Sequence, residues 1–165
     1  MTMLHLIVLL ACANDTEPAV VAPNPIAAQT PHWETRTDLE LDEVLAKSCE
    51  ASIADGKPLL VEFSAPWCVD CRKLEALETD DALAKEYGNW HRVRVDVGRF
   101  DLHDDLRGAF GVTAIAHWTA MKPTSCEAKA QSWPRLKSAV MELETGSIGP
   151  RTASDLIDWL AAARG

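Results

Sequence analysis

No stretch of this chain gathers Lys and Arg into a cluster, and its 16 basic residues face 25 acidic ones, for a formal net charge of −9. A nucleic-acid binder needs a basic surface to displace counterions from phosphates, so that class of partner is excluded. No apolar run reaches the roughly 18–20 residues that cross a bilayer, so no membrane-spanning helix is expected. Internal repeats are absent, and low complexity is confined to one stretch near the start. What is present suits a single domain with a core: 165 residues, 47% of them hydrophobic and 25% charged.

The first residues carry a short apolar run, Leu4 to Ala11, of the size of the apolar region of an export signal. It ends in Leu9-Leu10-Ala11-Cys12, which resembles the lipobox of bacterial lipoproteins. That resemblance implies a signal over 1–11, cleavage before Cys12, and acyl chains on Cys12 that tether the protein to a membrane. Residues 12–31 hold Pro18, Pro23, Pro25 and Pro31 among Ala, Asn, Thr and Gln. Such a stretch has little to bury and reads as a flexible tether. The folded domain is then expected over 32–165.

Five cysteines leave an odd one, which a lipidated Cys12 accounts for. Export implies an oxidising compartment in which disulfides persist. The spacing of Cys68 and Cys71 is that of a redox or metal pair, which leaves Cys49 with Cys126. A bond between those two contributes about 4 kcal/mol in the chain-entropy account. The alternative is two free buried thiols acting as small hydrophobes.

Pattern and punctuation predict the elements. Trp33 to Thr37 alternates like a short edge strand, and Asp38 can cap a helix continuing to about Ala54 with Leu41, Val44 and Leu45 on one face. Leu59 to Phe63 is an apolar run of strand length, the pattern of a strand covered on both faces. A helix starts near Trp67 or Cys68, and a second piece spans Asp80 to Tyr87. Trp90 to Val97 alternates as a strand, and Asp101 to Phe110 is a helix stopped by Gly111. Val112 to Ala120 and Ala139 to Glu144 are expected strands, and Thr152 to Ala163 a closing helix. This alternation implies an α/β sandwich with a parallel central pair and an antiparallel edge. Lys122 to Ser138 is too long for a hairpin turn and is expected to be an insertion, with Trp133 covering the site or a partner.

The C-x-x-C pair alone fits a redox couple, half a zinc site or coincidence. Its context narrows the choice. A buried strand leads through a turn to Trp67, and Cys68 falls at the first turn of the next helix, where unpaired N–H groups and the helix dipole stabilise a thiolate. Cys71 lies one turn on, within reach and expected to be more buried. An exposed, acidic thiol beside a covered partner suits thiol–disulfide exchange: the first attacks, the second resolves.

Phe63-Ser64-Ala65-Pro66-Trp67-Cys68-Val69-Asp70-Cys71 resembles the active-site segment of the thioredoxin superfamily. Within it the chain resembles the C-terminal thioredoxin-like domain of the periplasmic thiol:disulfide interchange reductase of DsbD type, which also has a basic residue where Arg72 stands and carboxylates where Glu62 and Glu75 stand. The resemblance implies a thioredoxin-like three-layer sandwich, a mixed sheet flanked by helices, and a protein-disulfide reductase. Its partners would be oxidised exported proteins and a membrane electron donor, in the bacterial cell envelope. No organic cofactor is expected, because the cysteine pair carries the two electrons.

The carboxylates have their own logic. Glu62, desolvated on a covered strand, is expected to have a raised pKa and to take the proton of Cys71. Asp70 and Glu75 add negative charge near Cys68, oppose thiolate formation and favour a reductant. The chain departs from the family after Ile115, where Ala116 replaces a cis-proline. A cis bond there costs roughly 2.5–4 kcal/mol, so a trans or locally strained peptide is expected. His117 follows directly, and Cys68, Cys71 and His117 form an alternative ligand set for Zn²⁺, against the simpler reading of a hydrogen-bonded strand histidine. Trp118 and Trp159 fit core positions, while His91, His103 and the acidic residues Asp101, Asp104 and Asp105 read as surface.

Overall fold

The computed structural model describes residues 34–141 and 152–165. The signal at 1–11, Cys12, the tether at 12–31, Trp33 and the second half of the expected Ala139–Glu144 strand lie outside them.

Helix α1 spans Asp38–Asp55. Its cap is Thr37, one residue before the expected Asp38, because Thr37 and Glu40 close a reciprocal box: Glu40 N–H donates to the threonine hydroxyl, and Thr37 N–H donates to the glutamate. Leu41, Leu45 and Cys49 form its buried stripe. Strand β1, Leu59–Ser64, is buried at every position, as its apolar run predicts for a strand covered on both faces. Helices α2 (Val69–Leu77) and α3 (Asp81–Tyr87) follow, then β2 (His91–Asp96), α4 (Asp104–Phe110), β3 (His117–Met121), a 3-10 turn at Ala130–Ser132, β4 (Arg135–Val140) and α5 (Ala153–Arg164).

The sheet order is β2-β1-β3-β4. β1 and β2 are parallel, while β3 runs antiparallel to both β1 and β4. The expected antiparallel edge is present, but the parallel pair lies at the opposite edge rather than at the centre, because residues 34–37 add no strand outside β2. Helices α1 and α4 cover one face with Val61, Phe63, Val93 and Val95. Helices α2, α3 and α5 cover the other with Leu60, Trp118 and the cysteine pair. Trp118 is buried and meets Trp159 edge to face, at 5.9 Å between ring centroids.

Four boundaries differ from expectation. Residues 34–37 form no strand; instead Thr35 Oγ1 donates to Asp96 and Arg36 donates to the Arg94 carbonyl, so side chains occupy the outer edge of β2. Helix α4 begins at Asp104 rather than Asp101, after a compact turn. β3 starts only at His117, because the 112–116 segment bends into the site. β4 begins at Arg135, inside the expected insertion, so the long connection is 122–134 and closes where Lys122 N–H donates to the Pro134 carbonyl at 2.9 Å.

That connection is no lid over the cysteine pair. Ala130 and Trp133 bury themselves among the residues of α1 and α4, on the opposite face of the sheet. The Trp133 indole N–H donates to the Ala128 carbonyl at 3.0 Å. Cys126 is disulfide-bonded to Cys49 of α1, as the cysteine arithmetic anticipated.

Candidate functional site

Cys68 is the N-cap of α2, and its sulfur accepts the Cys71 backbone N–H at 3.1 Å. The two cysteines are joined by a disulfide with Cα atoms 5.2 Å apart. A helix N-terminus presents several unpaired N–H groups at this point, so negative charge on Cys68 is stabilised there when the bond is open. Cys68 is 5% exposed and Cys71 4%, so the expected contrast between an open and a covered sulfur is absent in the oxidised pair. The flanking Trp67 and Val69 carry the exposed surface instead, at 45% and 47%.

Trp67 is oriented from the loop after β2. Its indole N–H donates to the Gly98 carbonyl at 2.6 Å, and its ring leans on Phe100 at 6.0 Å. Gly98 has φ +57, and a Cβ there would run into Asp101 and come within 2.9 Å of Leu102 Cγ, so the turn requires glycine. Arg107 donates to the Phe100 and Leu102 carbonyls and fixes the loop from α4. His103 closes this loop and is buried rather than on the surface; its Nδ1 lies 2.5 Å from Asp38. His91 is partly covered and meets Asp55 at 2.9 Å.

The Ile115–Ala116 peptide is cis, where the sequence predicts a trans or locally strained peptide. The bond sits in a packed setting: Ala116 is 1% exposed within the layer that holds both cysteines, and its carbonyl accepts Met141 N–H at 2.7 Å.

Glu62 is 4% exposed, as its strand required, yet it does not stand alone. Arg92 Nε donates to its Oε1 at 2.6 Å and Arg92 Nη2 to its Oε2 at 3.1 Å; Arg94 Nη2 is 3.6 Å from Oε2. Both guanidiniums also reach Glu78, at 2.6 and 2.8 Å, and Arg94 reaches Glu75 at 3.6 Å. The Arg92 guanidinium lies over the Tyr87 ring, 3.7 Å from its centroid. Burial alone pushes the Glu62 carboxyl up, but the two arginines more than offset it and hold it below the ordinary carboxylate range. The expected rise is therefore reversed. Burial pushes the Tyr87 hydroxyl up, so it stays neutral.

Asp70 is half-buried between the cysteines, with Oδ1 covered and making no hydrogen bond. His117 does not join Cys68 and Cys71. It pairs in register with Phe63 and meets that ring edge-on at 5.9 Å, on the α1 face of the sheet. Its Nε2 shares a hydrogen bond with Ser138 at 2.7 Å. Among the described residues no group of three potential ligands could hold a metal ion, so the zinc alternative is set aside.

Burial, and then Arg135, push the His117 imidazole below its usual 6.5. The unfolded chain then binds the proton that the native state refuses. Stability is accordingly expected to fall as the pH drops below 6.5, and His117→Gln should flatten that limb in urea titrations.

Sequence reasoning missed Arg92, Arg94, Glu78 and Phe100 as parts of this site. The signal for the arginines was there: in His-Arg-Val-Arg-Val-Asp, valines facing one covered layer leave the arginines facing the other.

A thioredoxin family model matches residues 40–137, and the chain belongs to the thioredoxin family, a family of thiol–disulfide oxidoreductases. Thioredoxin H10 of Arabidopsis thaliana is 52% identical over 42 residues, a match that spans about a quarter of each chain (26%). Among solved structures, a disulphide isomerase from Xylella fastidiosa superposes with a TM-score of 0.62 at 18% identity, over 82% of this chain and 100% of that one. The reduced DsbD C-terminal domain of Neisseria meningitidis gives 0.57 at 15% identity, over 79% and 100%. At those identities the likeness is one of fold.

Proposed function

We propose that this protein reduces disulfides of exported proteins by dithiol–disulfide exchange. Cys68 is the nucleophile and Cys71 the resolving thiol. The reduced Cys68 thiolate attacks a substrate disulfide, releasing one substrate sulfur and forming a mixed disulfide. Cys71 then attacks Cys68, the Cys68–Cys71 bond forms, and the second substrate sulfur leaves. Two electrons pass to the substrate. Asp70 in the first turn of α2, and Glu75 further along the same helix, add negative charge that opposes thiolate formation at Cys68 and favours the reducing direction.

The observation that carries this reading is the Cys68–Cys71 bond at the N-cap of α2, with the Cys68 sulfur accepting a backbone N–H. Ile115 and the cis Ala116 pack beside the pair, and Trp67 and Val69 offer apolar surface where a polypeptide would dock. A second disulfide fits an oxidising compartment. In the full reading Cys12 carries the lipid, residues 12–31 tether the domain to the envelope membrane, and a membrane protein returns the electrons.

The test is insulin reduction with Cys68→Ser and Cys71→Ser. Cys68→Ser is expected to abolish turnover, and Cys71→Ser to accumulate a mixed disulfide at Cys68, read by mass spectrometry. The couple should titrate near the thioredoxin value of about −270 mV. Turnover that survives Cys68→Ser would make the domain a binding module instead, and a potential toward about −120 mV would make it an oxidant.

A further inference from the structure

The resolving cysteine stands at the head of a half-buried row of charges. Cys71 and Glu75 on α2 and Glu78 at its C-cap follow one another at i, i+4 and i+7 and so share a helix face. Glu62 meets that row from β1. Its register partners are Arg94 on β2 and Trp118 on β3, and Trp118 packs in the same layer as Cys71. The charged and titratable groups turned toward Glu62 are thus Arg92 and Arg94 from β2, Glu75 and Glu78 from α2, and Tyr87 from α3. β3 supplies only the Trp118 ring at its register position.

We propose that Arg92 and Arg94 are positioning residues that keep Glu62 a fixed anion, so that Glu62 does not receive the proton lost by Cys71 and the departing substrate sulfur receives it instead. The inference rests on the exchange reading of Cys68 and Cys71. Both Glu62 oxygens already accept guanidinium N–H groups, in a site too buried for water to replace those donors. Proton uptake there would leave two buried guanidiniums sharing the remaining carboxylates, a step the low dielectric opposes.

The resolving step balances without Glu62. The Cys71 S–H bond breaks, its sulfur forms the bond to Cys68, and the Cys68–substrate bond breaks. The substrate sulfur leaves with the electron pair and takes up the proton. The pair is oxidised by two electrons and the substrate reduced by two. Glu62 contributes a constant field rather than a proton store.

The wild-type protein supplies the first test. With glutamate labelled at the side-chain carboxyl, NMR titration should show Glu62 protonating below 4.5, the ordinary value, in both the oxidised and the reduced protein. A stopped-flow pH profile of Cys71 resolving a preformed mixed disulfide with glutathione should show the thiol inflection and no carboxyl inflection near neutrality. A base in that role is worth about 10²-fold or more, so its protonation would be plain in the profile. Arg94→Gln should raise the Glu62 midpoint, and Arg94→Lys should bring it back. A Glu62 midpoint near neutrality in the reduced wild type, in a protein that still exchanges, overturns the inference and leaves the exchange reading intact. Failure of Cys71→Ser to trap any mixed disulfide overturns the exchange reading itself.

Discussion

Replacing Arg92 with Met is expected to cost about 3–5 kcal/mol of folding stability at neutral pH, the largest single-residue loss on the cysteine-pair face of the sheet. The size follows from what would be left behind. Glu62, Glu75 and Glu78 would share one remaining guanidinium, and the Glu62 side chain is only 5% exposed. Glu62→Gln should cost clearly less, because Arg92 and Arg94 each keep Glu78, and Arg94 keeps Glu75. The cluster tolerates losing an anion better than losing a cation.

The pH dependence separates this from lost packing. In the wild type the Glu62 carboxyl is held below 4.5, so its stabilisation is complete above that value and lost as the pH falls through the folded pKa. In Arg92→Met burial is opposed by one arginine instead of two, and the carboxyl moves up. The deficit should then shrink as acid neutralises it, so urea titrations across the acid range should show wild type and variant converging. A deficit that stays constant with pH would assign the loss to the guanidinium stacked on Tyr87 rather than to charge.

The fold and the redox pair were legible because each left a local mark. The run Leu59–Phe63, the turn at Pro66 and the alternation of β2 are single-strand patterns that need no knowledge of neighbours. The charge on Glu62 was not legible in that way. Burial of a lone carboxylate and burial of a paired one look identical along β1; only the parallel register that sets Arg94 beside Glu62 tells them apart. The same limit applies to Ala116. An alanine carries no signal for a cis bond, and what packs in its layer comes from distant segments, among them the cysteine pair, β1 and Met141. β4 was misplaced for a different reason. Its residues are exposed or half-buried, so Arg135–Val140 lacks the apolar alternation that marks an inner strand. Trp133 lies beside it in the sequence and packs away from the cysteine pair, because Cys126 ties its segment to α1.

That tie carries the second large effect. Cys49 and Cys126 are 77 residues apart, and their bond constrains an unfolded loop that takes in β1, α2, α3, β2, α4 and β3. The chain-entropy account gives about 4.5 kcal/mol for a loop of that length. Cys49→Ala/Cys126→Ala should therefore lower the urea midpoint by about 1.5–4.5 M, for m values of about 1–3 kcal/mol/M. The volume removed is small, so lost packing adds little beside the loop term. Dithiothreitol provides the control. It should reproduce the loss in the wild type and leave the double variant nearly unchanged, because opening the three-residue Cys68–Cys71 loop releases little chain entropy. Since the bond lies on the α1 face, the double variant should still exchange thiols through Cys68 wherever it remains folded. A loss below about 1 kcal/mol would mean that the unfolded chain already keeps α1 close to the 122–134 segment, so the bond has little entropy left to remove.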